Sequence, residues 1–252
     1  MTFIDFFAGI GGFRKGMEDA GHKCIGFCEI DKYAIASYTA MHLATEGQLE
    51  YLKTLPMKQR QQEILKEEYR NGEWFSNDIT RLYANDIPKA DCWCFGFPCQ
   101  DISISGKQKG LQGNRSGLFF RVMYLCEQLK EEDKPTFLFI ENVKNLLGIN
   151  RGWDFARLLA ELDGCGYDAE WQILNAKDFG VPQERERVFI VGHYRGRSRS
   201  KVFPFGHSYE SVAWLEGKQV ISNTVTDGKY LARGIYPGSD GSILKVRDFN
   251  KA

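Results

Sequence analysis

The stretch Thr2-Phe3-Ile4-Asp5-Phe6-Phe7-Ala8-Gly9-Ile10-Gly11-Gly12 predicts the fold class, because it joins a strand to a glycine-rich turn. It opens with a short apolar run typical of a buried strand, and helical sequence follows the turn from Phe13 to about Ala20. Further strands are predicted at residues 24–28, at a segment led in by Trp74 and Phe75 that ends with 77–79, and at 92–97, 136–140, 167–174 and 187–192. Further helices are predicted at 32–45, 118–129 and 155–162. Seven strands alternating with helices predict an α/β fold, a doubly wound and mostly parallel seven-stranded sheet.

Glycines and polar residues follow the predicted strands at the points where the strands end. In doubly wound sheets, ligands bind outside the carboxyl ends of the strands. We therefore expect the functional site at that edge of the sheet. The residues placed there are Gly9, Glu29, Asp78, Pro98, Cys99 and Glu141.

Three segments do not follow the alternation of strands and helices. Residues 46–72 are charged and rich in Glu, Gln, Lys and Leu, which predicts a solvated helical insertion. Residues 98–117 form a long loop of Gly, Ser, Lys and Gln, and a weakly patterned tail begins at about Arg195. We therefore predict a main domain over residues 1–194 and a short appendage over residues 195–252.

The composition is that of a folded chain with balanced charge. The 252 residues include 33 Lys and Arg against 33 Asp and Glu, and 43% are hydrophobic, which excludes a disordered chain. No apolar run approaches the roughly 18 residues of a membrane span. Asp5 interrupts the apolar N-terminal stretch, so no secretory signal is expected. Because the net charge is zero, binding to a nucleic acid would require a local cluster of positive charge.

The seven cysteines indicate a reducing compartment, and we expect a cytoplasmic protein. A metal site built from the pairs Cys24/Cys28 and Cys92/Cys94 is one interpretation, but the usual zinc knuckle has two residues between its cysteines, and these pairs have three and one. Both pairs lie in predicted strands, where Cys behaves as a small hydrophobic residue. We therefore favour buried thiols and predict no metal.

The glycine turn and the acidic strand ends fit a nucleoside pocket. The glycine spacing is Gly-x-Gly-Gly, which differs from the Gly-x-Gly-x-x-Gly of a pyrophosphate cradle. Glu29 suits the hydroxyls of a ribose, and Asp78 could accept a hydrogen bond from an adenine amino group. Together they favour an adenosine without phosphates, and S-adenosylmethionine is such a cofactor. A tight strand-to-helix turn without a ligand is the alternative explanation for the glycines.

The sequence Gly96-Phe97-Pro98-Cys99-Gln100 lies just past a predicted strand end. Proline fixes the local backbone, and a thiol held there acts as a nucleophile if nearby cations lower its pKa. The candidate cations are Arg185 and Arg187. A buried core cysteine is the alternative interpretation of Cys99.

Six segments, in this order, closely resemble the motifs of DNA (cytosine-5) methyltransferases. They are Asp5-Phe6-Phe7-Ala8-Gly9-Ile10-Gly11-Gly12-Phe13, Glu29-Ile30-Asp31-Lys32-Tyr33-Ala34, Phe97-Pro98-Cys99-Gln100, Ser103-Ile104-Ser105-Gly106-Lys107-Gln108-Lys109-Gly110, Glu141-Asn142-Val143 and Gln183-Glu184-Arg185-Glu186-Arg187. The resemblance covers residues 2 to about 194 in register. It implies the S-adenosylmethionine-dependent methyltransferase fold and methylation of cytosine C5 in duplex DNA, as in restriction-modification.

The resemblance also implies a role for each matched residue. Cys99 would be the nucleophile, Glu141 would hold and protonate the base, and Arg187 would contact the base with Arg185 beside it. The implied cofactor-binding residues are Phe7, Ala8, Gly9, Gly11, Glu29, Ile30, Asp78, Ile79, Pro98 and Leu118. The expected DNA-binding residues are Gln100, Ser103, Ser105, Lys107, Lys109 and Arg115.

This chemistry explains why these residue types are needed. Addition of a thiolate at C6 of cytosine creates electron density at C5, and a proton donor at N3 and a guanidinium near O2 stabilise the charge. A base stacked in a duplex is inaccessible, so it must be flipped out. The 98–117 loop, with its three cations, is expected to close over the DNA.

The chain departs from the family pattern after about residue 194. Family members continue with a target-recognition region, a further helix and a late Asn-containing motif, and neither late motif is found in residues 195–252. We therefore expect a partial target-recognition region there, and a second polypeptide or downstream segment that supplies the late motifs. The alternatives are an inactive or partner-dependent fragment, or an RNA cytosine-5 methyltransferase, whose Cys-Phe-Thr signature is absent from this sequence.

Overall fold

A computed structural model describes residues 1–98, 117–197 and 202–203, together with the backbone of three two-residue strands farther along. The chain divides into two compact units. Unit 1 comprises Met1–Gly96 and Gln128–Pro135, and unit 2 comprises Phe97–Glu127 and Thr136–Ala252.

Unit 1 is built on four parallel strands. They are β1 (Thr2–Phe6), β2 (Lys23–Cys28), β3 (Trp74–Ser76) and β4 (Cys92–Phe95), in the order β3-β2-β1-β4. Its helices are α1 (Gly12–Asp19), α2 (Lys32–His42), α3 (Glu46–Thr54) and α4 (Met57–Glu63). Parallel neighbours need crossover connections, and α1 supplies the one between β1 and β2. All four residues of β4 are buried, as expected for a strand inside a parallel sheet.

The helical insertion predicted over residues 46–72 is present and has a small core of its own. It contains α3, α4 and a 3-10 helix, Glu67–Arg70. Leu52, Ile64 and Tyr69 pack together, and Ala36 and Ala40 of α2 pack against them. The charged residues of the insertion therefore surround an apolar cluster that attaches it to α2.

Unit 2 contains antiparallel strands. They are β5 (Phe137–Val143), β6 (Tyr167–Asn175), β7 (Glu186–Tyr194) and β8 (Thr224–Val225), in the order β5-β7-β6-β8. Its described α-helices are α5 (Leu118–Glu127) and α6 (Trp153–Gly164), and a separate antiparallel pair joins β9 (Tyr236–Pro237) to β10 (Ile243–Leu244). Only a short connection with a 3-10 helix, Ala176–Phe179, links β6 to β7, so these two strands pair antiparallel.

The predicted α/β class with a mostly parallel sheet is confirmed, and all seven predicted strands are present. The sequence did not predict the antiparallel pairing of the strands in unit 2. The boundary predicted at residue 194 stays a prediction.

Six cysteines fall within the described residues and all are buried thiols. Burial raises the pKa of Cys24 to about 11 and that of Cys28 to about 12. Such thiols are unreactive at neutral pH, in agreement with their prediction as core residues. In the described part of the chain, no helix is long and apolar enough to cross a membrane.

Candidate functional site

The glycine turn of unit 1 follows β1 and has an unusual backbone. Phe7, Gly9 and Gly11 all have left-handed conformations, with φ of 53°, 55° and 91°. The Ala8 amide donates to the carbonyl of Cys28 at 3.1 Å, which holds the turn against the end of β2. A Cβ atom added to Gly9 would meet no atom within 4 Å. This open space leaves the backbone accessible to a ligand lying directly on it.

Glu29 holds the turn from the side of β2. One oxygen of its carboxylate accepts from the Gly9 amide at 2.7 Å. The other accepts from the amides of Ile30 and Asp31, both at 2.8 Å. An ionised carboxylate has about four lone-pair sites, so these three bonds leave one for a ligand hydroxyl.

The neighbouring strand end contributes a second carboxylate and an apolar surface. Asp78 accepts from the amide and hydroxyl of Thr80 at 2.9 and 2.6 Å, and its second oxygen is 3.3 Å from Nε of Arg81. The side chain of Ile30 is 73% exposed, whereas Ile79 is buried. Two carboxylates that accept hydrogen bonds, an open glycine backbone and an exposed isoleucine together fit a nucleoside. The contact between Asp78 and an adenine stays a prediction.

A buried charged cluster lies behind the turn. Arg14 of α1 forms an ion pair with Glu73 at 2.6 Å and donates to the Tyr38 hydroxyl at 3.3 Å. Asp5 of β1 is fully buried, and its two carboxyl oxygens have no hydrogen-bond partner of ordinary geometry among the described residues. Burial raises the pKa of Asp5 well above its usual range, and Arg14 offsets this only in part. Asp5 therefore favours its neutral form.

In unit 2, Glu141 and Arg187 form an ion pair on adjacent antiparallel strands. The Nε atom of Arg187 is 2.9 Å from a carboxylate oxygen of Glu141, and the two side chains are 22% and 25% exposed. The register places Val143 opposite Arg187, so the pair is diagonal across β5 and β7. Burial raises the pKa of Glu141, while the charges of Arg187 and Arg185 lower it. The net increase favours a carboxyl group that can hold and donate a proton.

The backbone of Arg185 is fixed, but its side chain is exposed. The Asn175 side chain accepts from the Arg185 amide at 3.0 Å, and the Arg185 carbonyl accepts from the Ala176 amide at 3.1 Å. Arg185 therefore acts on Glu141 through its charge, whereas Arg187 makes direct contact.

Asn142 holds the backbone at Phe97, immediately before Pro98, a role that the sequence did not indicate. Its side-chain amide is buried and donates to the carbonyl of Phe97 at 3.1 Å. Its oxygen accepts from the Val143 amide at 2.9 Å, and Phe97 packs on Phe119 with ring centroids 5.3 Å apart. The residue next to Glu141 is thus bonded to the residue before Pro98. The polar residue immediately after Glu141 was the signal available in the sequence.

Some of the predicted site residues are described separately or not at all. Pro98 and Leu118 belong to unit 2, and the other predicted cofactor-binding residues belong to unit 1. The predictions for Cys99, Gln100, Ser103, Ser105, Lys107, Lys109 and Arg115 lie outside the described residues.

Comparison with protein families identifies the group to which this chain is related. The family model for C-5 cytosine-specific DNA methylase matches residues 1–66 and 57–227. The chain belongs to this family. The methylase resemblance predicted from the motifs is therefore confirmed.

Individual methylases agree with this assignment. The chain is 34% identical over 231 residues to the type II methyltransferase M.DsaV of Dactylococcopsis salina, and covers 56% of it with 90% of its own length. It is 35% identical over 191 residues to M.HhaI of Haemophilus parahaemolyticus, covering 48% of that protein with 76% of its own length. The chain thus spans about half the length of these curated relatives.

A solved structure shares the fold. The crystal structure of S. pombe Dnmt2 methyltransferase matches 80% of this chain and 53% of its own, with a TM-score of 0.55 and 18% identity. At that identity, the similarity shows a shared architecture of the methylase fold.

Proposed function

We propose that this chain transfers a methyl group from S-adenosylmethionine to C5 of cytosine in duplex DNA. The observation that carries the proposal is the Glu141–Arg187 pair of a methylase-family chain, in which a half-buried carboxyl of raised pKa touches a guanidinium. Asn142 ties this pair to the backbone that leads into Pro98-Cys99. A proton donor, a cation and a thiol are the groups that activation of cytosine requires.

The cofactor site of the proposal is the glycine turn with its two acidic strand ends. Glu29 has one acceptor site left for a ribose hydroxyl, and Ile30 offers an apolar face to a flat ring. When bound, S-adenosylmethionine supplies the electrophilic methyl group that C5 takes up. The turn, with no Cβ at Gly9, lets a ligand lie against its backbone.

The chemistry of the protein residues then follows in order. The Cys99 thiolate forms a bond to C6, Glu141 gives a proton to N3, and Arg187 stabilises the charge developing near O2. After methylation, loss of the C5 proton, breaking of the bond between C6 and the Cys99 sulfur, and return of the N3 proton to the Glu141 carboxylate restore the aromatic base. Because the thiol must reach one face of the ring, the base has to leave the duplex.

A trapping experiment tests this proposal. Fluorine at C5 blocks the final proton loss, so DNA containing 5-fluorocytosine remains attached to the nucleophile. The 252-residue chain, supplemented with a polypeptide that carries the late motifs and incubated with S-adenosylmethionine and random-sequence duplex DNA of this kind, is expected to form a covalent adduct visible by denaturing electrophoresis. Cys99→Ser should abolish the adduct, and Cys165→Ser, a change at a buried thiol, should retain it.

The other outcomes separate the alternatives. An adduct with Cys99→Ser would contradict the assignment of the nucleophile. An adduct only with fluorocytosine RNA would favour the RNA-directed alternative. An adduct only after addition of a polypeptide carrying the late motifs would show dependence on a partner. Pairing with a restriction endonuclease and location in the cytoplasm stay predictions.

A further inference from the structure

His42, the last residue of α2, contacts the glycine turn through its imidazole ring. Its Nε2 atom is 2.9 Å from the carbonyl oxygen of Ile10, 32 residues earlier in the chain. A backbone carbonyl only accepts hydrogen bonds, so Nε2 must carry the proton and donate it. This contact fixes the tautomer of the ring.

The ring of His42 also occupies the space that a side chain at position 11 would need. A Cβ atom on Gly11 would collide with Nε2 of His42 and would lie 2.8 Å from its Cδ2 and 3.1 Å from Tyr38. The Tyr38 ring packs edge-on against the imidazole, with centroids 4.9 Å apart. Gly11 is therefore required both by its φ of 91° and by the position of His42.

The turn is thus held by two side chains. Glu29 accepts from the Gly9 amide, and His42 donates to the Ile10 carbonyl of the next residue. Left-handed residues other than glycine, such as Phe7, persist only where surrounding contacts hold them. One bond engages the N–H of Gly9 and the other the carbonyl of Ile10, so together they fix the orientation of the turn.

We propose that His42 is a positioning residue for the cofactor turn. Its Nε2–H holds the Ile10 carbonyl and keeps residues 7–11 in the ligand-binding conformation before the ligand arrives. The inference rests on the proposed function, because it takes S-adenosylmethionine as the ligand of the turn. Glu29, by contrast, keeps an acceptor site for the ligand itself.

Three variants of the full chain test this role. His42→Leu replaces the imidazole donor with an apolar side chain. His42→Gln supplies an amide N–H at a similar distance from the backbone. Met41→Leu, the control, alters an exposed neighbour on the same helix. Affinity for S-adenosylmethionine is measured by calorimetry. Hydrogen exchange of the peptide covering residues 7–13 is measured without cofactor, and thermal unfolding reports on the fold.

We expect His42→Leu to weaken cofactor binding about five- to tenfold, the effect of one lost hydrogen bond. Exchange of the 7–13 peptide should become faster in this variant, with little change elsewhere. His42→Gln should restore affinity to within about twofold of the unaltered chain. Met41→Leu should bind with the same affinity as the unaltered chain. Rescue by Gln distinguishes a hydrogen-bonding role from simple packing.

The remaining outcomes separate the two proposals. Equal cofactor affinity and equal exchange in His42→Leu and the unaltered chain would overturn the role of His42 and leave the cofactor site intact. Failure of Gln to restore either quantity would also overturn it. If the unaltered chain binds no S-adenosylmethionine even after a polypeptide carrying the late motifs is added, the proposed function fails, and faster exchange in His42→Leu with rescue by Gln still supports the positioning role.

Discussion

The two candidate sites of this methylase-family chain are built by different means. In unit 1, the site is mainly backbone: left-handed residues, an open glycine and amides held by one carboxylate. In unit 2, it is a side-chain ion pair whose partners lie on neighbouring strands. Changes in unit 1 should therefore affect cofactor binding, and changes in unit 2 should affect the titration of Glu141, the proposed proton donor.

The largest expected effect concerns the ion pair. Arg187→Ala should lower the rate of methyl transfer by about 10²–10³-fold, because a group that stabilises developing charge is lost. Burial raises the pKa of Glu141 and Arg187 lowers it, so removal of Arg187 raises it further. The protonated carboxyl then persists to higher pH, so the alkaline limb of the pH–rate profile should shift to higher pH. Single-turnover rates measured across pH provide the test.

Arg185→Ala provides a graded comparison for this effect. Its side chain is exposed and acts on Glu141 through charge alone, so the alkaline limb should move in the same direction by a smaller amount. A shift of the alkaline limb to lower pH in either variant would mean that Glu141 does not act as the proton donor.

A smaller effect, on the stability of the fold, is expected from a change at the buried Asp5. The pKa of Asp5 is raised by burial, so the folded chain retains a proton that the unfolded chain releases above about pH 3.9. Its contribution to stability therefore falls as pH rises from that value towards the folded pKa. Asp5→Asn cannot ionise and should raise the melting temperature at pH 8 more than at pH 5.

Thermal unfolding of the two chains at both pH values measures this difference. The cofactor affinity at pH 8 serves as a control, because an undisturbed turn should bind equally well in both. A melting temperature lowered by Asp5→Asn at pH 8 would show that the ionised carboxylate stabilises the fold.

The fold and much of the site could be predicted from the sequence because local patterns determine them. Glycines at 9 and 11, and Glu29 and Asp78 after strands, mark a turn and strand ends within short windows. Buried thiols followed from the apolar context of the cysteines. The order of elements similarly predicted the α/β class.

The contacts that join distant segments could not be predicted in the same way. His42 and Ile10 are 32 residues apart, Arg14 and Glu73 are 59 apart, and Asn142 is 45 residues from Phe97. No local periodicity encodes such pairs, because they depend on how helices and strands are placed in three dimensions. The diagonal between Glu141 and Arg187 likewise depends on the register of an antiparallel pair.

The most direct test of the account compares Glu29→Ala with Glu141→Gln in calorimetry and methyl transfer. Glu29→Ala should weaken S-adenosylmethionine binding by about 1–3 kcal/mol, because it leaves the amides of Gly9, Ile30 and Asp31 without their acceptor. Glu141→Gln should leave that affinity nearly unchanged and suppress methyl transfer by about 10²–10⁴-fold. The opposite order, with cofactor affinity lost in Glu141→Gln and retained in Glu29→Ala, would contradict the assignment of binding to the glycine turn and of proton transfer to Glu141.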